Sequence, residues 1–322
     1  MFLGVDGGGT KTSFLLLSPE ARVVARVEAG TSYHPEVGLE GVRAVFRDGV
    51  AQVLAAAGLP ATAIRQAFFG IPAYGEDPAV DPALALAPGV ALTPGQYRCG
   101  NDMVCGWAGA LACQDGISVT AGTGSIAYGE HAGRAARSGG WGEVFGDEGS
   151  AYWIGCQGLA VFSRMSDGRL PPGILQAHLR RRFGLERDID LAGLINRPGS
   201  AERSAIAQLC QVVAEAATEG DQAARAIFAR AGGELASIVH ATRALLGVPG
   251  AEEIAVSYSG GVFNTGALVL DPFRAALAGD GRPYRLQTPK LAPAIGAALY
   301  AARSADMRFA PERLADLAAT GG

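Results

Sequence analysis

The stretch Phe2 to Leu17 reads FLGVDGGGTKTSFLLL, and its two short apolar runs flank a cluster of glycines. Because both runs are rich in strand-forming residues, the pattern predicts strand, tight turn and strand. Glycines let such a turn adopt positive φ and present backbone N–H groups as a concave nest for phosphate oxygens. The alternative is an ordinary glycine-rich hairpin that binds nothing.

The polar groups of this turn favour phosphate chemistry. Thr10 and Lys11 add side-chain donors beside Gly8 and Gly9, and Asp6 ends the first strand, where it is placed to hold a hydrated Mg²⁺ against the phosphates. Two commoner glycine loops are excluded. A P-loop needs Gly directly before Lys, and Thr10 intervenes here, whereas a dinucleotide fingerprint needs a helix rather than a second strand after the glycines.

Composition narrows the class of protein. The chain has 322 residues, 49% of them hydrophobic, and a net charge of −4 with no basic run, which argues against nucleic acid and anionic membrane surfaces as partners. No run of 18 apolar residues and no signal-type N-terminus is present, so a cytoplasmic protein without a membrane partner is expected. The five cysteines show no C-x-x-C spacing and are expected to be reduced and packed in the interior.

The pattern of the first 115 residues predicts an α/β domain. After the opening hairpin it alternates strands with helices and closes near Asp115. The expected elements are a strand at Arg22–Glu28, a helix at Val37–Ala57, a strand at Gln66–Ile71, an irregular helix and loop at Pro78–Pro94, a strand at Tyr97–Asp102 and a helix at Met103–Cys113.

The pattern then begins again. Ile117 to His131 reads ISVTAGTGSIAYGEH, again strand, glycine turn and strand, so two similar halves of residues 1–115 and 116–322 are predicted, with the final helix free to pack back on the first. Two such hairpins facing one cleft would clamp the phosphates of one nucleotide. The expected later elements are a strand at Arg134–Ser138, helices at Ser150–Arg164, Ala201–Glu219 and Gln222–Leu246, strands at Glu253–Tyr258 and Tyr284–Thr288, and a helix at Ala292–Arg303.

The segments DGGGTKT, VTAGTGS and YSGGVF, in this order, resemble the phosphate-1, phosphate-2 and adenosine motifs of the actin-like ATPase and sugar kinase superfamily. More narrowly, GGWGEVFGDEGSAYW at Gly139–Trp153 resembles the N-acetylglucosamine kinases and the BadF/BadG/BcrA-type ATPases. The resemblance implies an α/β fold of two similar actin-like (ribonuclease H-like) domains with an interdomain cleft for nucleotide and sugar. It also implies ATP and Mg²⁺ as cofactors.

The resemblance also implies roles for single residues. Asp102 matches the catalytic base, which also binds the sugar; the competing interpretation is a helix-capping aspartate. Tyr33 stands where the animal-type enzymes have a sugar-contacting asparagine. The other implied sugar-binding residues are Gly140, Trp141, Gly142 and Asp147. The implied nucleotide-binding residues are Gly8, Gly9, Thr10, Lys11, Gly122, Thr123, Ala214, Gly260 and Gly261.

The implied activity is ATP-dependent phosphorylation of an amino sugar, with N-acetylglucosamine converted to its 6-phosphate. Glucosamine is the alternative acceptor. Two rival functions from other classes are an ATPase activator that carries an iron–sulfur cluster and a non-catalytic sugar sensor. The implied partners are therefore a small sugar and ATP, and a homodimer is left open.

Overall fold

In the computed structural model the described residues are 1–197 and 202–320, and they form two compact units. The first unit consists of Met1–Asp115 together with the chain from Thr288 onward, and the second of Gly116–Gln287. The second unit therefore ends before the C-terminus, because the helix at Pro293–Ser304 packs on the first sheet.

The first unit is a five-stranded mixed sheet in the order β3-β2-β1-β4-β5. Strands β1, β2 and β3 are antiparallel neighbours, and β4 and β5 continue the sheet parallel to β1. The elements are β1 (Phe2–Gly7), β2 (Lys11–Leu17), β3 (Val23–Gly30), α1 (His34–Ala57), β4 (Gln66–Ile71), α2 (Asp81–Leu86), β5 (Tyr97–Asn101), α3 (Met103–Leu111), and then β6 (Gly116–Ala121), which opens the second unit.

The second unit repeats this topology with the order β10-β9-β6-β7-β8. Its first three strands are again antiparallel neighbours, and β9 and β10 again extend the sheet in parallel with β6. The other elements of this unit are β7 (Ser125–His131), β8 (Arg134–Gly139), α4 (Ala151–Ser166), α5 (Ile174–Phe183), α6 (Asp190–Ile195), α7 (Arg203–Thr218), α8 (Gln222–Leu246), β9 (Ile254–Ser259), α9 (Ala267–Gly279) and β10 (Tyr284–Gln287). The chain then returns to the first unit with α10 (Pro293–Ser304) and α11 (Pro311–Thr320).

The strands form where the apolar runs predict them, and the structure contains four helices that were not predicted. Sequence patterns did not predict α5, α6, α9 or α11. Helix α5 carries three consecutive arginines, α9 contains Pro272, and α6 is only 6 residues long. The first residue of the expected helix Ala201–Glu219 lies outside the described residues, and the helix there is α7. Within residues 1–197 and 202–320, no helix is long and apolar enough to cross a membrane.

Small residues let α3 and α10 cross closely in the first unit. A Cβ added at Gly109 of α3 would lie 2.7 Å from the carbonyl oxygen of Ala292 and 2.8 Å from that of Leu291. The carbonyl oxygen of Gly109 also accepts the N–H of Leu291 at 3.1 Å. This contact holds the C-terminal segment on the first unit.

We expect Gly109→Ala to destabilise the protein by about 1–3 kcal/mol, because the added methyl would meet backbone atoms that cannot move aside. Gly106, in the same helix, has open space at its Cβ position. Gly106→Ala is the matched control and is expected to be neutral or to stabilise by up to about 1 kcal/mol. Denaturant unfolding midpoints check both variants, and equal midpoints for the two would contradict the close crossing.

Candidate active site

Two carboxylates lie at the carboxyl edge of the first sheet. Asp6 is near the end of β1, and Asp102 follows β5; the two strands flank β4. The residue of β4 that pairs with Asp6 is Gly70. A Cβ at Gly70 would also lie 3.2 Å from the Asp102 Cα. The glycine therefore makes room for the Cys105 side chain of α3, whose thiol hydrogen-bonds to Asp6 beside Asp102.

The two carboxylates hold their protons unusually tightly. Each keeps part of its surface open to solvent, yet protein surrounds it on most sides. Burial, reinforced by the negative charge of Asp102, raises the pKa of Asp6 to about 7. Burial, reinforced by the charge of Glu76, raises the pKa of Asp102 to about 6. Raised acid pKa values in a group of carboxylates are typical of functional sites.

Asp102 stands at the N-cap position of α3 but does not cap the helix through its side chain. Its side chain makes no capping hydrogen bond, and Asn101 Oδ1 instead accepts the N–H of Met103 at 3.1 Å. Asn101 thus accepts one of the first N–H groups of the helix. The Asp102 carboxylate is left for chemistry with a ligand.

The first glycine loop has the expected hairpin form. Residues Gly9, Thr10 and Lys11 are exposed, as a phosphate site requires, and Gly8 is half-buried. The Lys11 ammonium donates to Glu28 Oε1 on β3 at 2.6 Å. The assignment of these four residues to nucleotide binding stays a prediction, and a phosphate would compete with Glu28 for Lys11.

Tyr33 occupies the residue before α1. It is half-buried, and its ring lies edge-on to the ring of His34 with centroids 6.3 Å apart. Just before it, Thr31 and Ser32 are buried and hydrogen-bonded to the glycine hairpin. Tyr33 therefore lies on a segment that is attached to the phosphate loop, and its contact with sugar stays a prediction.

The second glycine loop lies against the start of α4. The carbonyl oxygen of Gly122 accepts the N–H of Ala151 at 2.9 Å, and Thr123 remains exposed. The Ser125 hydroxyl donates to the Glu148 carbonyl at 2.7 Å. These bonds join the loop to the segment that carries the predicted sugar-binding residues.

The segment with the predicted sugar-binding residues changes direction at glycines. Gly140 and Gly142 have φ values of 70° and 84°, which favour glycine, and the N–H of Gly140 donates to Ser125 O at 2.9 Å. Between them the Trp141 side chain is 66% exposed, with the Arg137 guanidinium 6.0 Å from its ring centroid. An exposed indole held by two glycines is available to stack on an apolar ligand face.

The Asp147 carboxylate already accepts a hydrogen bond and forms an ion pair within the protein. The side chain is almost fully buried, Oδ1 accepts the N–H of Ser125 at 3.3 Å, and Oδ2 pairs with the guanidinium of Arg203 at the start of α7. Arg203 also lies 3.3 Å from Glu143. Sequence analysis did not identify Arg203 or Glu143, because their roles depend on a helix that reaches the loop across 56 residues of chain. A sugar hydroxyl would have to use the remaining lone pairs of Asp147.

The other predicted nucleotide-binding residues lie in two places. Gly260, at φ 100°, packs directly against the backbone of Ala121, the residue before the second glycine loop, and Gly261 is exposed. Ala214 instead lies on α7, where it packs against the hydrophobic core of the second unit. The turn at Gly260 is thus brought to the loop, and the role of Ala214 stays a prediction.

The donor set in the first unit fits a hydrated Mg²⁺. Asp6 and Asp102 offer carboxylate oxygens, the ligands that this cation prefers, and within residues 1–197 and 202–320 neither acid forms an ion pair. Among the same residues, no cluster of three or more His, Cys, Asp or Glu side chains could hold a metal by itself. A magnesium ion there would therefore keep most of its waters.

These features define a class of protein: a duplicated α/β fold in which each unit opens with a phosphate-type glycine hairpin. The chain matches the model of the BadF/BadG/BcrA/BcrD ATPase family over residues 3–301 and belongs to that family.

Similarity to named proteins supports this family membership. An N-acetylmuramic acid/N-acetylglucosamine kinase of Clostridium acetobutylicum is 30% identical, covering 94% of this chain and 99% of the relative. An N-acetyl-D-glucosamine kinase of Dictyostelium discoideum is 26% identical, covering 94% and 98%. A crystal structure from Chromobacterium violaceum, provisionally assigned as an N-acetylglucosamine kinase, has a TM-score of 0.71 at 25% identity and covers 92% and 97%. They confirm the predicted family, the actin-like fold class and the class of enzyme, a sugar kinase.

Proposed function

We propose that the protein transfers the γ-phosphate of ATP to N-acetylglucosamine and forms N-acetylglucosamine 6-phosphate. The observation that carries the proposal is the Asp102 carboxylate, free of a capping role and adjacent to Asp6 at the edge of the sheet that bears the DGGGT loop. Two named relatives with this acceptor support the choice of sugar. Glucosamine remains the alternative acceptor, and N-acetylmuramic acid is a third because one relative carries its name.

Phosphoryl transfer to a sugar hydroxyl requires mainly correct positioning of the reactants and one base. Asp102, ionised above its pKa of about 6, accepts the proton of the attacking hydroxyl. The amides of Gly8 and Gly9, with Thr10 and Lys11, bind the phosphates from the first unit. Gly122 and Thr123 supply the second loop. When bound, Mg²⁺ held by Asp6 through water neutralises charge on the phosphates.

In the second unit, the exposed Trp141 ring offers a face for the apolar side of a pyranose. The positive-φ glycines on either side let backbone groups approach the sugar hydroxyls. Arg203 pairs with the Asp147 carboxylate and orients it, so that its free lone pairs can accept a hydroxyl.

A coupled ADP-release assay over N-acetylglucosamine, glucosamine, N-acetylmuramic acid and glucose tests the proposal. We expect the highest kcat/KM with N-acetylglucosamine and negligible ADP release without sugar. Sugar-independent ATP hydrolysis by an iron-containing, coloured protein would instead favour the activator, and sugar binding without turnover would favour the sensor.

Tyr33 is expected to influence the choice between N-acetylglucosamine and glucosamine. A phenol replaces an amide at this place and offers one hydroxyl on a rigid ring. We expect Tyr33→Asn to change the ratio of kcat/KM for the two sugars by roughly 2- to 10-fold, the value of about one hydrogen bond. Tyr33→Phe, which removes only the hydroxyl, is the control. An unchanged ratio in both variants would place sugar selection elsewhere, around Trp141 and Asp147.

A further inference from the structure

We propose that Thr31 is a positioning residue that couples sugar binding to nucleotide binding in the first unit, an inference that rests on the proposed function. Its Oγ1 donates to the carbonyl oxygen of Gly8 at 2.8 Å and accepts the N–H of Tyr33 at 3.0 Å. One hydroxyl therefore bonds to both the phosphate loop and the segment predicted to meet the sugar.

The bond to Gly8 controls the next amide. Because a peptide unit is planar and trans, fixing the carbonyl of Gly8 also fixes the direction of the Gly9 N–H on the opposite side of the same plane. Gly9 is exposed and has open space at its Cβ position, which suits the approach of a phosphate oxygen. Thr31 thereby presets the orientation of an amide in the phosphate nest.

A second contact makes the attachment stiff. The Thr12 hydroxyl of β2 donates to the hydroxyl of Ser32 at 3.1 Å, and both side chains are fully buried. A Cβ at Gly7 would lie 2.5 Å from the Ser32 hydroxyl oxygen, so hairpin and segment are packed without spare room. A shift of the segment on sugar binding must therefore move the glycine loop, and the reverse.

The side chain at this position needs a hydroxyl. Only a group that donates and accepts at once can join a carbonyl to an N–H in this way, and serine and threonine both can. Thr31 is 9% exposed, so water replaces a lost hydroxyl poorly. Thr31→Val keeps the shape and removes both bonds, whereas Thr31→Ser keeps both bonds.

The experiment is calorimetric titration of wild type, Thr31→Val and Thr31→Ser. The dissociation constant of a non-hydrolysable ATP analogue with Mg²⁺ is measured without and with saturating N-acetylglucosamine, and the ratio of the two constants is the coupling. We expect a wild-type coupling of several-fold, a coupling near one in Thr31→Val, and a value within about two-fold of wild type in Thr31→Ser. We also expect the valine variant to bind the analogue alone about 2- to 10-fold more weakly.

Equal coupling in wild type and Thr31→Val, or no coupling in wild type, would overturn the proposal. If Thr31→Val does not fold, Thr31→Ala is titrated instead and is expected to lose coupling in the same way. If wild type neither binds nor phosphorylates any sugar, the proposed function fails. The analogue titration without sugar then still tests Thr31, because unchanged affinity in the valine variant would refute its control of the Gly9 amide.

Discussion

Asp102→Asn is expected to lower kcat for sugar phosphorylation by about 100- to 10,000-fold, while the dissociation constants of ATP and sugar stay within a few-fold of wild type. The amide preserves the size and polarity of the side chain but cannot accept the hydroxyl proton. Steady-state kinetics combined with calorimetric titration of each ligand measure both effects.

The neighbouring acid Glu76 provides the control. Its negative charge helps to raise the pKa of Asp102, so Glu76→Gln should keep most of kcat and shift the acid limb of the pH profile to lower pH. Retention of more than about a tenth of wild-type kcat in Asp102→Asn corresponds to a loss below ~1.4 kcal/mol and would contradict the role of Asp102 as the base.

Asp102→Asn is also expected to stabilise the folded protein. The pKa of Asp102 is about 6 in the native state and 3.8 ordinarily, so the native state binds more protons and wild-type stability falls as pH rises from about 4 to 6. Above pH 6 the full unfavourable effect of the charge is present, and Asn removes it. We expect a gain of about 1–2 kcal/mol at pH 8 that disappears near pH 4, measured by denaturant unfolding without ligands.

Arg203→Met is expected to destabilise the protein by about 2–3 kcal/mol and to raise KM for the sugar. The change leaves the buried Asp147 carboxylate without its cation. Breaking a fully buried pair is worth about 3–5 kcal/mol, and the value here is lower because the Arg203 side chain is 40% exposed. Denaturant midpoints and sugar kinetics of the same preparations provide the measurement.

Two comparisons isolate the effect. Arg187→Met removes an exposed arginine that pairs with Asp190, and we expect a much smaller loss of stability than in Arg203→Met. Asp147→Asn in the Arg203→Met background removes the unpaired charge and should recover part of the stability without restoring sugar affinity. If the two arginine variants lose equal stability, Arg203 does not hold Asp147.

The sequence predicted the two sheets well because their signals are local. Apolar runs, glycine turns and the repeated hairpin placed every strand within a few residues, and the strand-end position of Asp102 is a property of one short segment. The helices α5 and α9 were missed because arginines and Pro272 mask the apolar pattern that would mark them.

The parts of the site that escaped prediction depend on long-range contacts. The pairing of Asp147 with Arg203, the hydroxyl of Thr31 between Gly8 and Tyr33, and the raised pKa of Asp6 all arise from residues far apart in the chain. The resemblance to the N-acetylglucosamine kinases implies a sugar-binding role for Asp147 but does not reveal which cation it meets. Such contacts exist only after the strands and helices have packed.

Incubation of the wild-type protein with N-acetylglucosamine and ATP labelled in its γ-phosphate tests the central claim most directly. Product separation and ¹H–³¹P correlation spectroscopy then show whether, and at which oxygen, the sugar carries the phosphate. We predict one labelled product, N-acetylglucosamine 6-phosphate, formed in step with ADP and absent with Asp102→Asn. Release of the label only as inorganic phosphate, or its transfer with equal rate by Asp102→Asn, would contradict an amino-sugar kinase that uses Asp102 as its base.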